Sequence, residues 1–250
     1  FKSKNKKAFK RLKKFQLSFE QFRYLKRYAH SLKLFFISTP LDFKSADFLI
    51  KTADQIKISS GDNNFFPLIK KIIKTNKKII ISTGMMNFEN IKELQKNIFN
   101  MIGKKKAIKN ISLLHCVTSY PVEDRYANLK SILFLKEKSD FKVGYSDHTL
   151  GIEACLAAVA LGANIIEKHF TLNKKFSSFR DHALSADLNE MKSIVKGIRK
   201  IESQLGNFEK KIQISEKNNL KLTRRDIFAS KIISKGQTLN TDNVNFLRPS

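Results

Sequence analysis

Two histidines follow short apolar runs that end in polar clusters. Val143-Gly144-Tyr145 leads into Ser146-Asp147-His148-Thr149, and Ile165-Ile166 leads into Glu167-Lys168-His169-Phe170-Thr171. Imidazole suits Mn, Fe or Zn, and two ligands with further positions open describe a catalytic metal site and not a structural one. Asp147 and Glu167 flank the pair. A lone histidine is more commonly a hydrogen-bonded structural residue, so metal binding and a structural role both stand at this point.

A second set of groups suits a phosphate. Lys57, Ser60, Ser82, Thr83, Thr118 and Ser146 follow or end other apolar runs and supply an ammonium, hydroxyls and neighbouring backbone N–H donors. Phosphate recognition needs such donors converging with a positive charge. Ser and Thr also populate turns for purely local reasons, but their recurrence at consecutive strand ends with a lysine favours a phosphate cradle. Asp181 and His182 sit in a polar loop, and Tyr120-Pro121 ends another loop, where the tyrosine either packs or faces a substrate. No Ser-His-Asp order, P-loop or GxGxxG is present.

The elements that must position these groups are six apolar runs, near residues 35–37, 56–58, 79–81, 111–114, 143–145 and 165–166. Helical patterns are expected near 43–53, 65–75, 87–101, 124–138, 150–161 and 186–204, and Ser18 with Gln21 fits a capping box before a further helix. Strands alternating with helices read as βα units around a parallel sheet, and in a closed barrel all six polar ends share one rim. The helix N-termini point the same way and favour an anion there. Beyond Gly206 the pattern breaks. A charged stretch, 207–220, precedes a small strand-and-turn module whose turns lie at Lys235-Gly236-Gln237 and Asn240-Thr241-Asp242-Asn243.

Composition narrows the classes. The 250 residues are 42% hydrophobic, enough for a sizeable core. The net charge of +26 comes from 48 Lys+Arg against 22 Asp+Glu. Clustered basic residues would suit nucleic acid or anionic lipid. Here the lysines are scattered through every segment, which reads as compositional drift, although a basic field still gathers an anionic substrate. Cys116 and Cys155 have neither zinc nor disulfide-framework spacing, as in a reducing cytosol. No signal peptide is visible, and the longest apolar stretch is too short to span a bilayer, so a cytoplasmic protein with no membrane partner is expected. The basic residues 1–16 carry Phe9, Leu12 and Phe15 at helical spacing, read as the tail of a barrel helix in preference to a membrane-surface helix. The chain opens on Phe1 and is expected to be a fragment.

Five segments carry a family resemblance: Lys57 to Gly61, Ser82-Thr83-Gly84-Met85, His115-Cys116 through Tyr120-Pro121, Gly144 to Thr149 and Glu167 to Thr171. In order and spacing, from about residue 19 onward, the chain resembles the N-acetylneuraminate (sialic acid) synthase family. The end, Ile232 to Gly236 and Leu247-Arg248-Pro249, resembles the first half of the antifreeze-like (SAF) domain of that family. The resemblance implies a TIM-type (β/α)8 barrel lacking its first two βα units, followed by a partial SAF β-rich domain. The expected boundaries are a barrel over 1–205, a linker over 206–220 and the SAF part over 221–250.

It also implies a reaction. The family condenses phosphoenolpyruvate with an N-acyl mannosamine-type hexosamine, releasing phosphate and forming a nine-carbon 2-keto acid. On that basis His148 and His169 hold a divalent metal, usually Mn²⁺. Lys57, Ser60, Ser82 and Ser146 grip phosphoenolpyruvate, and Thr118 completes the grip. Tyr120, Glu167 and Asp181 contact the sugar, with Glu167 or Asp181 able to orient it or relay a proton. Arg248 would reach the sugar's acyl group in the other subunit of a domain-swapped homodimer. Ser177-Ser178-Phe179-Arg180 replaces a Pro-Gly-Pro-like turn found in many relatives, which leaves legionaminate-like and pseudaminate-like acceptors open. Two readings from other classes are a basic nucleic-acid binder and a non-catalytic barrel. The first needs aromatics interleaved with Lys/Arg on one surface, whereas most of the 21 Phe fall on apolar periodic faces. The second is opposed by the intact histidine pair.

Overall fold

The computed structural model describes residues 9–10, 13–177 and 180–248, residue 180 by its backbone alone. Most of the basic stretch 1–16, and Ser178, Phe179 and Pro249, therefore lie outside the described residues. The chain divides into two compact units, Phe1–Leu205 and Gly206–Ser250.

The first unit alternates strands and helices. In order they are α1 (Phe19–Ser31), β1 (Ile37–Ser38), α2 (Phe43–Thr52), β2 (Gln55–Ile58), α3 (Phe66–Ile73), β3 (Lys78–Ser82), α4 (Phe88–Ile102), α5 (Lys104–Asn110) and β4 (Ile111–Cys116). There follow α6 (Lys130–Lys138), β5 (Lys142–Asp147), α7 (Glu153–Ala160), β6 (Ile166–Lys168), α8 (Arg180–Leu184) and α9 (Leu188–Leu205). Local chemistry starts several helices. Ser18 and Gln21 close the capping box expected before α1, and Asp42 with Ser45 and Asn87 with Asn90 do the same for α2 and α4.

The six strands pair in the order β1-β2-β3-β4-β5-β6, all parallel. Their apolar residues, such as Ile56, Ile58, Ile79, Ile81, Leu113 and Val143, join α-helical Leu49, Ile69, Leu94 and Ile132 in one continuous core. The sheet curls: Ile37 of β1 and Ile165 and Ile166 at β6 line one cavity of about 440 Å³ with Met191 and Ile194 of α9. A curled parallel sheet with its helices outside is the architecture of a partial TIM-type barrel.

Several expectations needed local revision. The pattern at 124–138 forms a 3₁₀ turn at Asp124–Tyr126 and then α6, not one helix. The short helices α5 and α8 were not anticipated, and α8 occupies what read as a polar loop. Both are too short for an amphipathic period to stand out. The second unit holds α10 (Lys217–Thr223) and an antiparallel pair, β7 (Asp226–Ala229) and β8 (Val244–Leu247), so the stretch expected as a linker clusters with the terminal module. Among the described residues no helix is long and apolar enough to cross a membrane.

Gly144 of β5 is needed for close packing of its neighbours. A Cβ there would stand 2.5 Å from the Ile165 carbonyl oxygen and 2.6 Å from Leu114 Cδ2. A backbone oxygen cannot rotate away, so Gly144→Ala should destabilise the first unit by about 1–3 kcal/mol. Urea unfolding measures this directly, and a midpoint equal to the parent's would refute the close approach.

Candidate active site

Parallel strands deliver their C-terminal ends to one rim, and a cavity of about 600 Å³ opens there. Its lining includes Lys57, Ser60, Ser82, Thr118, Tyr120, Ser146, His148, Glu167 and His169. Nine of the residues singled out from the sequence therefore share one mouth. Its size falls in the range of small-molecule sites.

Lys57 is the charged centre of one side. It ends up buried because β2 places it on the inner face between Ile56 and Ile58, which face the helices. Its Nζ donates to Ser82 Oγ at 2.7 Å and lies 3.3 Å from Glu167 Oε1. Ser146 Oγ donates to that same carboxylate oxygen at 2.6 Å. Residues of β2, β3, β5 and β6 are thus tied across the barrel interior. Below them, Asn63 Nδ2 donates to the carbonyls of Ser82 and Gly84 at 3.2 and 2.9 Å, fixing the turn after β3. Gly84 has no room for a side chain: a Cβ would meet Thr118 Oγ1 at 2.3 Å and Ser60 Oγ at 2.6 Å.

The imidazoles form the other side. The rings of His148 and His169 lie 5.2 Å apart between centroids, and Tyr120 stacks obliquely on His148 at 4.3 Å. The loop after β4 brings Tyr120 there, since the Val122 amide donates to the His148 carbonyl at 2.9 Å. His148 Nδ1 lies 2.9 Å from the Val117 carbonyl oxygen. That oxygen only accepts, so Nδ1 carries the proton and, in the neutral ring, the Nε2 lone pair is free.

Titration behaviour separates the two rings. Burial lowers the pKa of His169, and the neighbouring His148 charge lowers it further. For His148 burial also disfavours charge, but the hydrogen bond to Cys116, the Val117 carbonyl and the Cys116 charge outweigh it, raising its pKa. Burial would raise the Cys116 thiol, yet hydrogen bonds to His148 and Ser60 bring it below its ordinary value. Tyr120 is raised by burial and then by the negative groups Cys116, Asp181 and Glu167.

Several predicted residues stand apart from the rim set, among them Thr83, whose hydroxyl donates to the Leu114 carbonyl at 2.9 Å, and His182, whose Nδ1 lies 2.8 Å from Thr171 Oγ1. Asp181 lies in α8 and is close enough for its charge to act on Tyr120 and His169. It is returned there by a parallel bridge between Phe170 and Ala186, whose amide donates to the His169 carbonyl at 2.8 Å. Arg248 lies in the second unit, exposed just after β8. Asp147, grouped with the histidines on sequence, is turned away from the cavity and fully buried behind β5. The period of two along a strand carried that signal, because Ser146 and His148 cannot share a face with Asp147. Cys116 and Thr39 line the cavity and were not singled out for chemistry. Cys116 lies 3.6 Å from Ser60 Oγ and 4.0 Å from His148 Nδ1, and no sequence spacing announces such a contact. Among the described residues no group of three or more His, Cys, Asp or Glu is arranged to hold a metal unaided.

Known proteins resemble this chain in sequence and in fold. The NeuB family description matches residues 1–210. The N,N'-diacetyllegionaminic acid synthase of Campylobacter jejuni is 42% identical over 96% of this chain and 71% of its own length. The protein of the same name from Legionella pneumophila is 36% identical, over 95% of this chain and 67% of its own. The crystal structure of an N-acetylneuraminic acid synthetase from Leptospira borgpetersenii, solved with citrate, superposes with a TM-score of 0.79 at 32% identity, covering 88% of this chain and 75% of that one. Sequence match and shared architecture agree, and the chain belongs to the NeuB family.

Proposed function

We propose that this chain condenses phosphoenolpyruvate with an N-acyl mannosamine-type sugar, giving a nine-carbon 2-keto sugar acid and phosphate. The observation that carries the reading is the single cavity in which Lys57, bonded to Ser82, faces the His148–His169 pair across Ser146 and Glu167. Relatives named as legionaminic acid and sialic acid synthases support the reaction class. Sialic, legionaminic and pseudaminic types of acceptor remain the competing substrates.

The residues divide the work as follows. Lys57, Ser60, Ser82 and Ser146 bind the phosphate of phosphoenolpyruvate, with Thr118 at the edge. Its C3 attacks C1 of the open-chain sugar aldehyde, water adds at C2, and the tetrahedral intermediate expels phosphate. The Lys57 ammonium counters the charge that the leaving phosphate gains. Phosphate arriving at Lys57 competes with Glu167 for that ammonium, which frees the carboxylate to orient the sugar or, as a base, to take a proton from the attacking water and relay it to the sugar oxygen. Tyr120 and Asp181 border the sugar's side of the cavity.

His148 and His169 fit a divalent cation such as Mn²⁺: two nitrogen donors at neighbouring strand ends, one with its tautomer set by Val117, and positions left for substrate or water. Such an ion, when bound, polarises the aldehyde oxygen as a Lewis acid. In the same reading the second unit is SAF-like. Its Arg248 would serve the sugar's acyl group across a homodimer. The reaction belongs in the cytoplasm, where phosphoenolpyruvate is available.

Phosphate release from phosphoenolpyruvate, assayed with Mn²⁺ against a panel of N-acyl hexosamines, tests the function. The absence of both sugar-dependent release and saturable phosphoenolpyruvate binding would reject it. His148→Ala should abolish metal-dependent turnover and lower bound metal, and unchanged activity and metal content would remove His148 from the ligand set. Gly84→Ala should push Ser60 and Thr118 out of place. An ångström of misplacement can cost on the order of 100-fold, so kcat/KM for phosphoenolpyruvate should fall by about 10- to 100-fold with little change in melting temperature. Parental kinetics would show that these hydroxyls do not hold the phosphate.

A further inference from the structure

On the outer face of β5 and β6 lies a buried ion pair that the proposed reaction does not use, its lysine residue also bordering the cavity. Lys168 Nζ donates to Asp147 Oδ2 at 2.7 Å, and the two side chains are 3% and 0% exposed. The Asp147 carboxylate is fully engaged. Its Oδ1 accepts from the Tyr145 hydroxyl at 3.0 Å and from the Thr149 amide and hydroxyl at 2.9 and 2.8 Å, and Oδ2 also accepts from Cys155 Sγ at 3.2 Å. Lys168 Nζ has a second acceptor, the Thr149 carbonyl oxygen at 2.6 Å.

We propose that Asp147 and Lys168 are positioning residues that hold the His148 and His169 imidazoles at the separation a shared metal ion requires. This rests on the reading of those histidines as metal ligands. The placement is what carries it. β6 has only three residues, and its register against β5 is Tyr145 with Ile166, Ser146 with Glu167 and Asp147 with Lys168. The ion pair is therefore the last rung of the ladder, and each histidine follows its own member by one residue. A slip of one residue would turn His169 away from the cavity. The clamp also closes over His148 itself: Asp147 holds the amide of Thr149 while Lys168 holds its carbonyl, so the backbone just after the ligand is tied back to the residue before it.

An apolar pair of similar volume would serve stability as well as a buried ion pair does. Direction is what the charges add, since Lys168 reaches one carboxylate and one carbonyl together. Outer partners of metal ligands commonly change metal affinity by about 10- to 100-fold when removed.

The test uses the double variant Asp147→Asn with Lys168→Met, which leaves no unpaired buried charge and keeps an acceptor for Thr149 and Tyr145. Co²⁺ titration, followed by heat and by the visible absorption of the bound ion, should show an affinity lowered by about 10- to 100-fold and an altered band in a variant that still melts cooperatively. Ile132→Ala, in the core and away from the rings, serves as the control that loses stability without losing Co²⁺ affinity. Parental Co²⁺ affinity in the folded double variant overturns the proposal. Should that variant not fold, Lys168→Arg keeps the charge but changes its reach, and the same two outcomes decide. If the unaltered chain takes up no Co²⁺, the metal reading fails on its own. Crystal structures of parent and variant then decide the positioning: a widened ring separation supports it and an unchanged 5.2 Å separation overturns it.

Discussion

Register between parallel strands is the constraint on which the rest of the molecule depends. Each strand of the curled sheet pairs in phase with the next, from Ile37 opposite Gln55 to Asp147 opposite Lys168. Because all six run the same way, their C-terminal residues arrive together at one mouth. A slip at any rung would exchange inner and outer faces, sending Lys57 or Ser146 to the helices and apolar residues to the cavity. The apolar core resists such a slip, since Ile56, Ile58, Ile79 and Ile81 would lose their helical partners.

Charge is distributed on the two faces of that sheet with opposite consequences. Inside, Lys57 and Glu167 sit at 3.3 Å with Glu167 still partly exposed, so the pair is open to exchange with an incoming anion. Outside, Asp147 and Lys168 are sealed from water and saturated with hydrogen bonds. Burial alone would raise the pKa of Asp147, yet Lys168 and Thr149 hold it below the ordinary carboxylate range. The same burial beside that negative charge raises the Tyr145 and Cys155 pKa values strongly, keeping both neutral donors. One pair can change partners, and the other is built to stay.

The sequence made a large share of this legible. Capping residues such as Ser18 and Gln21, and the apolar period of the stretches at 43–53 and 87–101, placed helices close to where they occur. Short helices escaped because seven or five residues, as in α5 and α8, carry too little period to separate from loop. At 124–138 an apolar stretch hid a break, where the chain turns through Asp124–Tyr126 so that Ala127 can accept from the His115 ring at 2.9 Å. That contact joins segments with no local signature.

Residue types at the strand ends, and the alternation that carries them to one rim, were determined by the sequence alone, because period and capping are local properties. Tertiary structure alone decided that Cys116 touches His148, that Lys57 leans on Glu167 and that Gly144 must admit the Ile165 carbonyl. Those contacts follow from how neighbouring strands are staggered and how the sheet curls. Both arise from packing between segments far apart in the chain, which no single stretch of residues encodes.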